Sequence, residues 1–310
     1  MSGDLVWLVP TILTVVSAST PLLLAALGEL VVEKSGVLNL GVEGMMLVGA
    51  IAAFATGVTT GSWPLAILAG ALGGLVMAFL FGVLTLSLLA NQVATGLALT
   101  IFGVGLSALM GASFVGVPFP ALPKLAIAGL SDLPIVGPLL FAHDLLVYLS
   151  FVMVAAVAWF LVRTRAGLVL RAVGENQEAG HSIGYPVIRI RYLAVLFGGA
   201  MCGLGGAYLS LAHTPMWIEN MTAGRGWIAL ALVVFATWRP GRVLLGAYMF
   251  GGITILQLHA QGIGLEVPSQ LLSMLPYLAT ILVLVLISKD SARVRINAPA
   301  CLGKVFHPAA

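Results

Sequence analysis

Apolar runs of about 20 residues recur along nearly the whole length of this 310-residue chain, each long enough to cross a hydrocarbon core of roughly 30 Å as a helix. A chain of this kind needs lipid as its solvent. Only 8% of its residues are charged, against roughly 25% in soluble domains, so it cannot clothe a water-facing surface. In hydrocarbon a helix satisfies its own backbone hydrogen bonds, and the runs predict an all-α, polytopic transmembrane helical bundle. About nine spans (eight to ten) are expected, near residues 6–28, 37–57, 65–89, 92–111, 138–162, 193–212, 226–238, 243–258 and 269–288. The run at 226–238 is too short to cross alone and is expected to share its crossing with the stretch 217–226. Residues 1–310 are read as a single transmembrane domain, with too little left over for a soluble one.

Charge sets the orientation. Twelve of the fourteen Lys and Arg residues fall on one side of this scheme, from Lys34 through the loop 163–191 to the tail 289–310. Only Lys124 and Arg225 fall on the other. The positive-inside rule makes the first side cytoplasmic, with the N-terminus out and the C-terminus in. A pI near 9.0 therefore reports topology, and no nucleic-acid partner is expected, because the basic residues are scattered between spans. No Lys or Arg precedes Lys34, so the first run lacks the basic start of a signal peptide and is read as a retained span. Cys202 in an apolar run and Cys301 in the tail offer no disulfide framework.

Small residues spaced four apart, at Gly70/Gly74, Gly199/Gly203 and Gly103/Ser107/Gly111, read as faces where helices approach closely in lipid. The stretch "GVLNLGVEGMML" from Gly36 is different. On a helix Asn39 and Glu43 would share one face, while Gly36, Gly41 and Gly44 permit a break whose free backbone groups must meet protein or a water-filled path. Two readings stay open: a part of a pathway or its gate, or a polar clamp between helices. Asn91, Gln92 and Thr95 repeat the pattern at the start of the fourth span. Trp217, Glu219, Asn220, Thr222, Arg225 and Trp227 form the densest polar and aromatic cluster, placed on the outer side. There Arg225 could meet a solute, a binding protein or lipid headgroups.

No motif in the sequence supplies an energy source of its own. "GELVVEKS" imitates a phosphate-binding loop, but Glu33 stands where the second glycine belongs, and a carboxylate would repel phosphates. The chain is not expected to hydrolyse ATP. Glu29, Glu33 and Glu43 are placed near the cytoplasmic ends of the first two spans, so no mid-membrane carboxylate argues for an ion-coupled carrier. Five scattered histidines and two distant cysteines supply no catalytic or metal constellation, and no cofactor is expected. The loop 163–191 holds a stretch, Glu175 to Ser182, able to form about two helical turns, ended by Gly184 and Pro186 and flanked by five arginines. It is suited to docking a cytoplasmic partner, though an ordinary basic loop would look similar.

Four ordered stretches, "EKSGVLNLGVEGMMLVGA", "NQVATGLALTIF", "LRAVGENQEAGHSIG" and "TAGRGWIALALVVF", resemble the permease subunits of bacterial ABC importers. Within these the chain is most similar to the simple-sugar and nucleoside branch, related to branched-chain amino acid permeases. The resemblance implies a multi-pass protein of the inner membrane working with a second permease subunit, cytoplasmic ATP-binding subunits and an extracytoplasmic substrate-binding protein. It implies a nucleoside or purine-like solute, with a simple sugar or branched-chain amino acid as the alternative. It also implies that Gly174, Glu175, Asn176, Glu178, Ala179, Gly180, Ile183 and Gly184 form the helix that couples to the ATPase, with Ala179 and Gly180 at its closest contacts. Asn39, Glu43, Asn91, Gln92, Thr95, Asn220, Thr222, Arg225 and Trp227 are the candidate pathway residues.

Overall fold

The computed structural model describes residues 3–125, 131, 136–262 and 297–307, with isolated positions between 270 and 285. Its helices are α1 (Gly3–Lys34), α2 (Val42–Thr60), α3 (Trp63–Gly82), α4 (Gln92–Gly111), α5 (Val136–Phe141) and α6 (Leu145–Arg163). They continue as α7 (Arg165–Glu175), α8 (Gln177–Ser182), α9 (Val187–Tyr208), α10 (Arg225–Phe235) and α11 (Pro240–Gly262). Among the described residues extended structure is limited to two isolated bridges, Val115 with Trp217 and Lys124 with Asp144.

Seven helices are long and apolar enough to cross a bilayer, and α10 adds a shorter apolar one. The expected spans from 6–28 to 243–258 each coincide with one of these eight, whereas 269–288 lies largely outside the described residues, as do Asp132, Glu266, Lys289, Arg293 and Arg295. The first helix overruns its expected end and reaches Lys34. It is also the most enclosed, with residues 22–27 and Leu30 buried among α6, α9, α10 and α11. By contrast α3, α4 and α6 expose rows of large apolar side chains, including Leu68, Ile101 and Val152, as lipid-facing helices do.

Close helix contact is made where the small residues fall. Gly70 and Gly74 on α3 lie against Gly199, Gly203 and Ala207 on α9, so a β-carbon at Gly74 would stand 2.7 Å from Gly203 Cα. Gly103 on α4 meets Gly44 on α2, where an added β-carbon would be 2.5 Å from Gly44 Cα. Backbone-on-backbone packing of this kind has no room for a side chain. Gly74→Val should therefore force α3 off α9 at a cost of about 1–3 kcal/mol or more, seen as loss of monodisperse protein on size exclusion. Gly252→Ala on α11, where a β-carbon meets open space, should leave the elution profile unchanged.

Candidate functional site

Two crossings of the bundle are not continuous helices, and their irregular stretches meet at Glu43. After α1, Gly36 turns the chain with φ +88°, a conformation glycine adopts without strain. Residues 37–41 then climb in irregular conformation before α2 begins. Two contacts on α9 measure the climb: Arg191 Nε donates to Ser35 O at 3.1 Å, and Gly206 lies against the carbonyl of Met46. Residues 191 and 206 are about 22 Å apart along a helix. Glu43, less than one turn below Met46, thus lies deep in the bundle, well removed from its Lys34 end.

Inside the protein this irregular backbone is satisfied by side chains. Asn39 Oδ1 accepts from Gly41 N at 2.9 Å, closing a local turn. Asn39 N donates to Glu29 Oε1 at 3.2 Å, and Leu38 N donates to Gln92 Oε1 at 2.8 Å. Thr100 Oγ1 donates to Leu40 O at 3.0 Å.

The second break is the stretch 214–224 between α9 and α10. Trp217 is buried beside Ala50, Ile51 and Phe54 of α2, about two helical turns above Glu43. From there the chain descends to Glu43, whose carboxylate gathers three donors. Thr222 Oγ1 and Gly224 N, the latter at 2.8 Å, donate to Oε1, and Gly226 N donates to Oε2 at 2.6 Å. Gly226 stands in the first turn of α10, where free N–H groups and the helix dipole favour a carboxylate. From this point α10 runs to the Lys34 end of the bundle, where Trp238 Nε1 donates to Glu33 Oε2. An irregular descent and an 11-residue helix together complete one crossing.

The descent is strained. Asn220, Ala223 and Gly224 have φ of 55°, 48° and 83°, and non-glycine residues in this region cost about 1–2 kcal/mol each. Ile218, Glu219, Asn220 and Ala223 are exposed, whereas Thr222 and Gly226 are buried on the Glu43 side.

These positions correct three expectations. Asn39 and Glu43 do not pair on one helix face, because Asn39 precedes α2, which starts at Val42; Gly36 and the local turn at Asn39 keep the chain out of a helix there. Glu43 does stand at the start of its helical span, as expected, but that start lies deep within the bundle rather than at its Lys34 end. Of the cluster placed on the outer side, Trp217 is high, while Thr222 and Arg225 lie at the depth of Glu43, beside Gly226. Glu43 and Thr222 are brought together, and Arg225 Nη1 donates to Met221 O at 3.1 Å. Trp227 follows on the exposed face of α10. Asn91 caps α4 by accepting from Ala94 N at 3.0 Å, Gln92 is buried on the climb, and Thr95 is half-buried on α4. The buried carboxylates Glu29 and Glu33 were missed as structural partners, although their i, i+4 spacing on one helix face was a readable signal.

The loop 163–191 forms α7 and α8, joined at Asn176. That residue ends α7 and begins α8, its Oδ1 accepting from Ala179 N at 2.9 Å. Gly184, at φ +91°, turns the chain after α8. Glu175, Asn176, Glu178, Ala179, Ile183 and Gly184 are exposed, but Gly174 and Gly180 are buried. Gly174 packs on the carbonyl of Lys34, and a β-carbon on Gly180 would sit 3.3 Å from Val173 Cγ2. Gly180 therefore faces the inside of its own chain.

The chain matches, over residues 11–286, the family described as branched-chain amino acid transport system / permease component. It is 42% identical over 309 residues to TsgC13 of Haloferax volcanii, whose name provisionally assigns it as a glucose ABC transporter permease protein. That match covers 93% of this chain and 94% of the relative. It is 33% identical to the nucleoside ABC transporter permease protein NupC of Lactococcus lactis, covering 86% of this chain and 89% of the relative. With the guanosine ABC transporter permease protein NupQ of Bacillus subtilis it shares 30% identity, over 86% and 88% of the two chains. Each of the last two organisms holds a second, less similar permease protein named for the same solute class, NupB and NupP.

Proposed function

Because this chain belongs to the branched-chain amino acid transport system permease family, and is a multi-pass ABC transporter permease rather than an enzyme, we propose that its two broken crossings line the solute path. The observation that carries the proposal is the Glu43 junction. Irregular backbone at membrane depth is tolerated only where it is buried in protein or borders water, and residues 218–220 and 223 are exposed there. Their open side faces the path; their closed side is tied to Glu43 through Thr222, Gly224 and Gly226. Asn220, Arg225 and Trp227 are proposed to meet the solute. Asn39, Gln92 and Thr222 hold the wall, and Asn91 and Thr95 belong to its Lys34-end entrance.

The Lys34 end is proposed to be cytoplasmic, with nine crossings, the N-terminus outside and all of 1–310 in one domain. Lys34, Arg163, Arg165, Arg171, Arg189 and Arg191 are at this end, together with α7 and α8. The exposed face of α8, Glu178, Ala179 and Ile183, is proposed to dock on a cytoplasmic ATP-binding subunit. A second permease chain of different sequence and an extracytoplasmic binding protein complete the assembly in the cytoplasmic membrane; the NupB/NupC and NupP/NupQ names support the pairing. In cells whose chain has Cys202 and Cys301 replaced, Glu178→Cys should resist an impermeant thiol reagent while Lys124→Cys reacts. The reverse pattern would invert the topology.

The solute is proposed to be a nucleoside, as the names of two relatives suggest. The 42% identity to TsgC13 favours a simple sugar as the second reading. Uptake of labelled guanosine, adenosine and glucose by vesicles holding the full assembly separates the two: competition by nucleosides alone supports the first, and by hexoses alone the second.

A further inference from the structure

Residues 297–307 lie across the Lys34 end of the bundle as a strap. Cys301 N donates to Gly174 O at 2.9 Å, and Gly303 N donates to Gly36 O at 3.1 Å. The strap thereby joins the end of α7 to the turn that starts the climb toward Glu43. Gln177 Nε2, in the first turn of α8, donates to Val305 O at 3.1 Å, and Arg191 Nη1 donates to Lys304 O at 3.3 Å. Phe306 is buried with Val173 of α7 and Val187 of α9, and its ring centre is 5.4 Å from that of His181 on α8, edge to face.

A six-residue helix such as α8 has almost no stability of its own, since nucleation fixes more torsions than its few hydrogen bonds repay. Its seat must come from what packs beneath it. Inside the chain that seat consists of Val173 and Val187 under Gly180, closed on one side by Phe306 and tied by Gln177. We infer that residues 297–307 are a positioning element for ATP-driven transport: the strap seats α8 for its cytoplasmic partner and fixes it to the Gly36 turn. This rests on the proposal that α8 is the ATPase-docking helix. The strap gives a displaced α8 a bonded route to the base of the climb, through Cys301–Gly174 on one edge and Gly303–Gly36 on the other.

The test uses the complete transporter, comparing Phe306→Ala, Phe306→Leu and, on the exposed tip after α8, Ile183→Glu. Phe306→Ala should lower ATPase co-purification about tenfold, equivalent to about 1.4 kcal/mol of docking free energy, with uptake falling in step. The detergent-solubilised permease should keep its elution volume, and Phe306→Leu should restore docking. Wild-type docking and uptake in Phe306→Ala, with both lost in Ile183→Glu, would overturn the strap's role alone. Wild-type behaviour in all three variants would overturn the docking proposal as well. Should Phe306→Ala lower the melting temperature, Gln177→Ala decides, since it removes one bond to the strap: reduced docking supports the role, and unchanged docking overturns it.

Discussion

Replacing Glu43 with alanine is expected to reduce uptake to background while the ATP-binding subunits still co-purify. The carboxylate is the acceptor for Thr222 Oγ1, Gly224 N and Gly226 N. Buried donors left without an acceptor cost about 1–3 kcal/mol each, so the junction stands to lose several kcal/mol. The descent also holds Asn220 and Ala223 at positive φ, and its remaining hydrogen bonds, such as Ala223 N to Asn220 O and Arg225 Nη1 to Met221 O, run within the segment itself and do not tie it to α2. Opening it should close or misalign the path at its midpoint. Glu43→Gln retains the length and one acceptor oxygen and should keep partial uptake. The α7–α8 face is remote from this junction, so docking should be unchanged in both variants. Wild-type uptake by Glu43→Ala would remove the junction from the transport mechanism.

Gly180→Trp is expected to abolish ATPase docking, and by a route the sequence did not reveal. The ring would be driven into Val173 and Val187, beneath α8 rather than above it. Overpacking costs about 1–3 kcal/mol or more, and the six-residue α8 can relieve it only by lifting off α7. Ala179→Trp, on the exposed face, should also block docking, but by direct obstruction and with the permease unaltered. Thermal denaturation of the isolated permease distinguishes the two: a lowered or broadened local transition is expected for Gly180→Trp and none for Ala179→Trp. Gly180→Ala should be tolerated, since Val173 Cγ2 at 3.3 Å can yield by a few tenths of an ångström. Full docking and uptake by both tryptophan variants would show that this loop is not the coupling element.

The membrane class and the helical runs were legible because hydrophobic length reports directly on bilayer thickness. The glycine faces were legible too, since spacing of four residues places small side chains on one side of a helix. What spacing could not show was where the helix stops being one. Asn39 and Glu43 have the spacing of a helical pair, yet the helix begins only at Val42, because Gly36 and the Asn39–Gly41 turn fix another conformation. Depth was lost with it: the irregular stretch 37–41 puts the start of α2 well inside the bundle, and Glu43 with it. The donors of Glu43 lie 179 to 183 residues away, beyond any local pattern. Likewise the inward turn of Gly180 depends on Phe306 and Val187, which only the folded chain brings beneath it.

A solute path along the Glu43 junction requires the exposed side of that junction to face water. In a chain with Cys202 and Cys301 replaced, Ala223→Cys can be set beside Lys124→Cys, in an exposed loop, and Val152→Cys, on the exposed apolar face of α6. Each is treated in the assembled transporter with a small charged thiol reagent and, separately, a lipid-soluble one. Ala223→Cys is predicted to react with the charged reagent, as Lys124→Cys does, and to be protected by transported solute. Reaction of Ala223→Cys with the lipid-soluble reagent alone, in the manner of Val152→Cys, would contradict it.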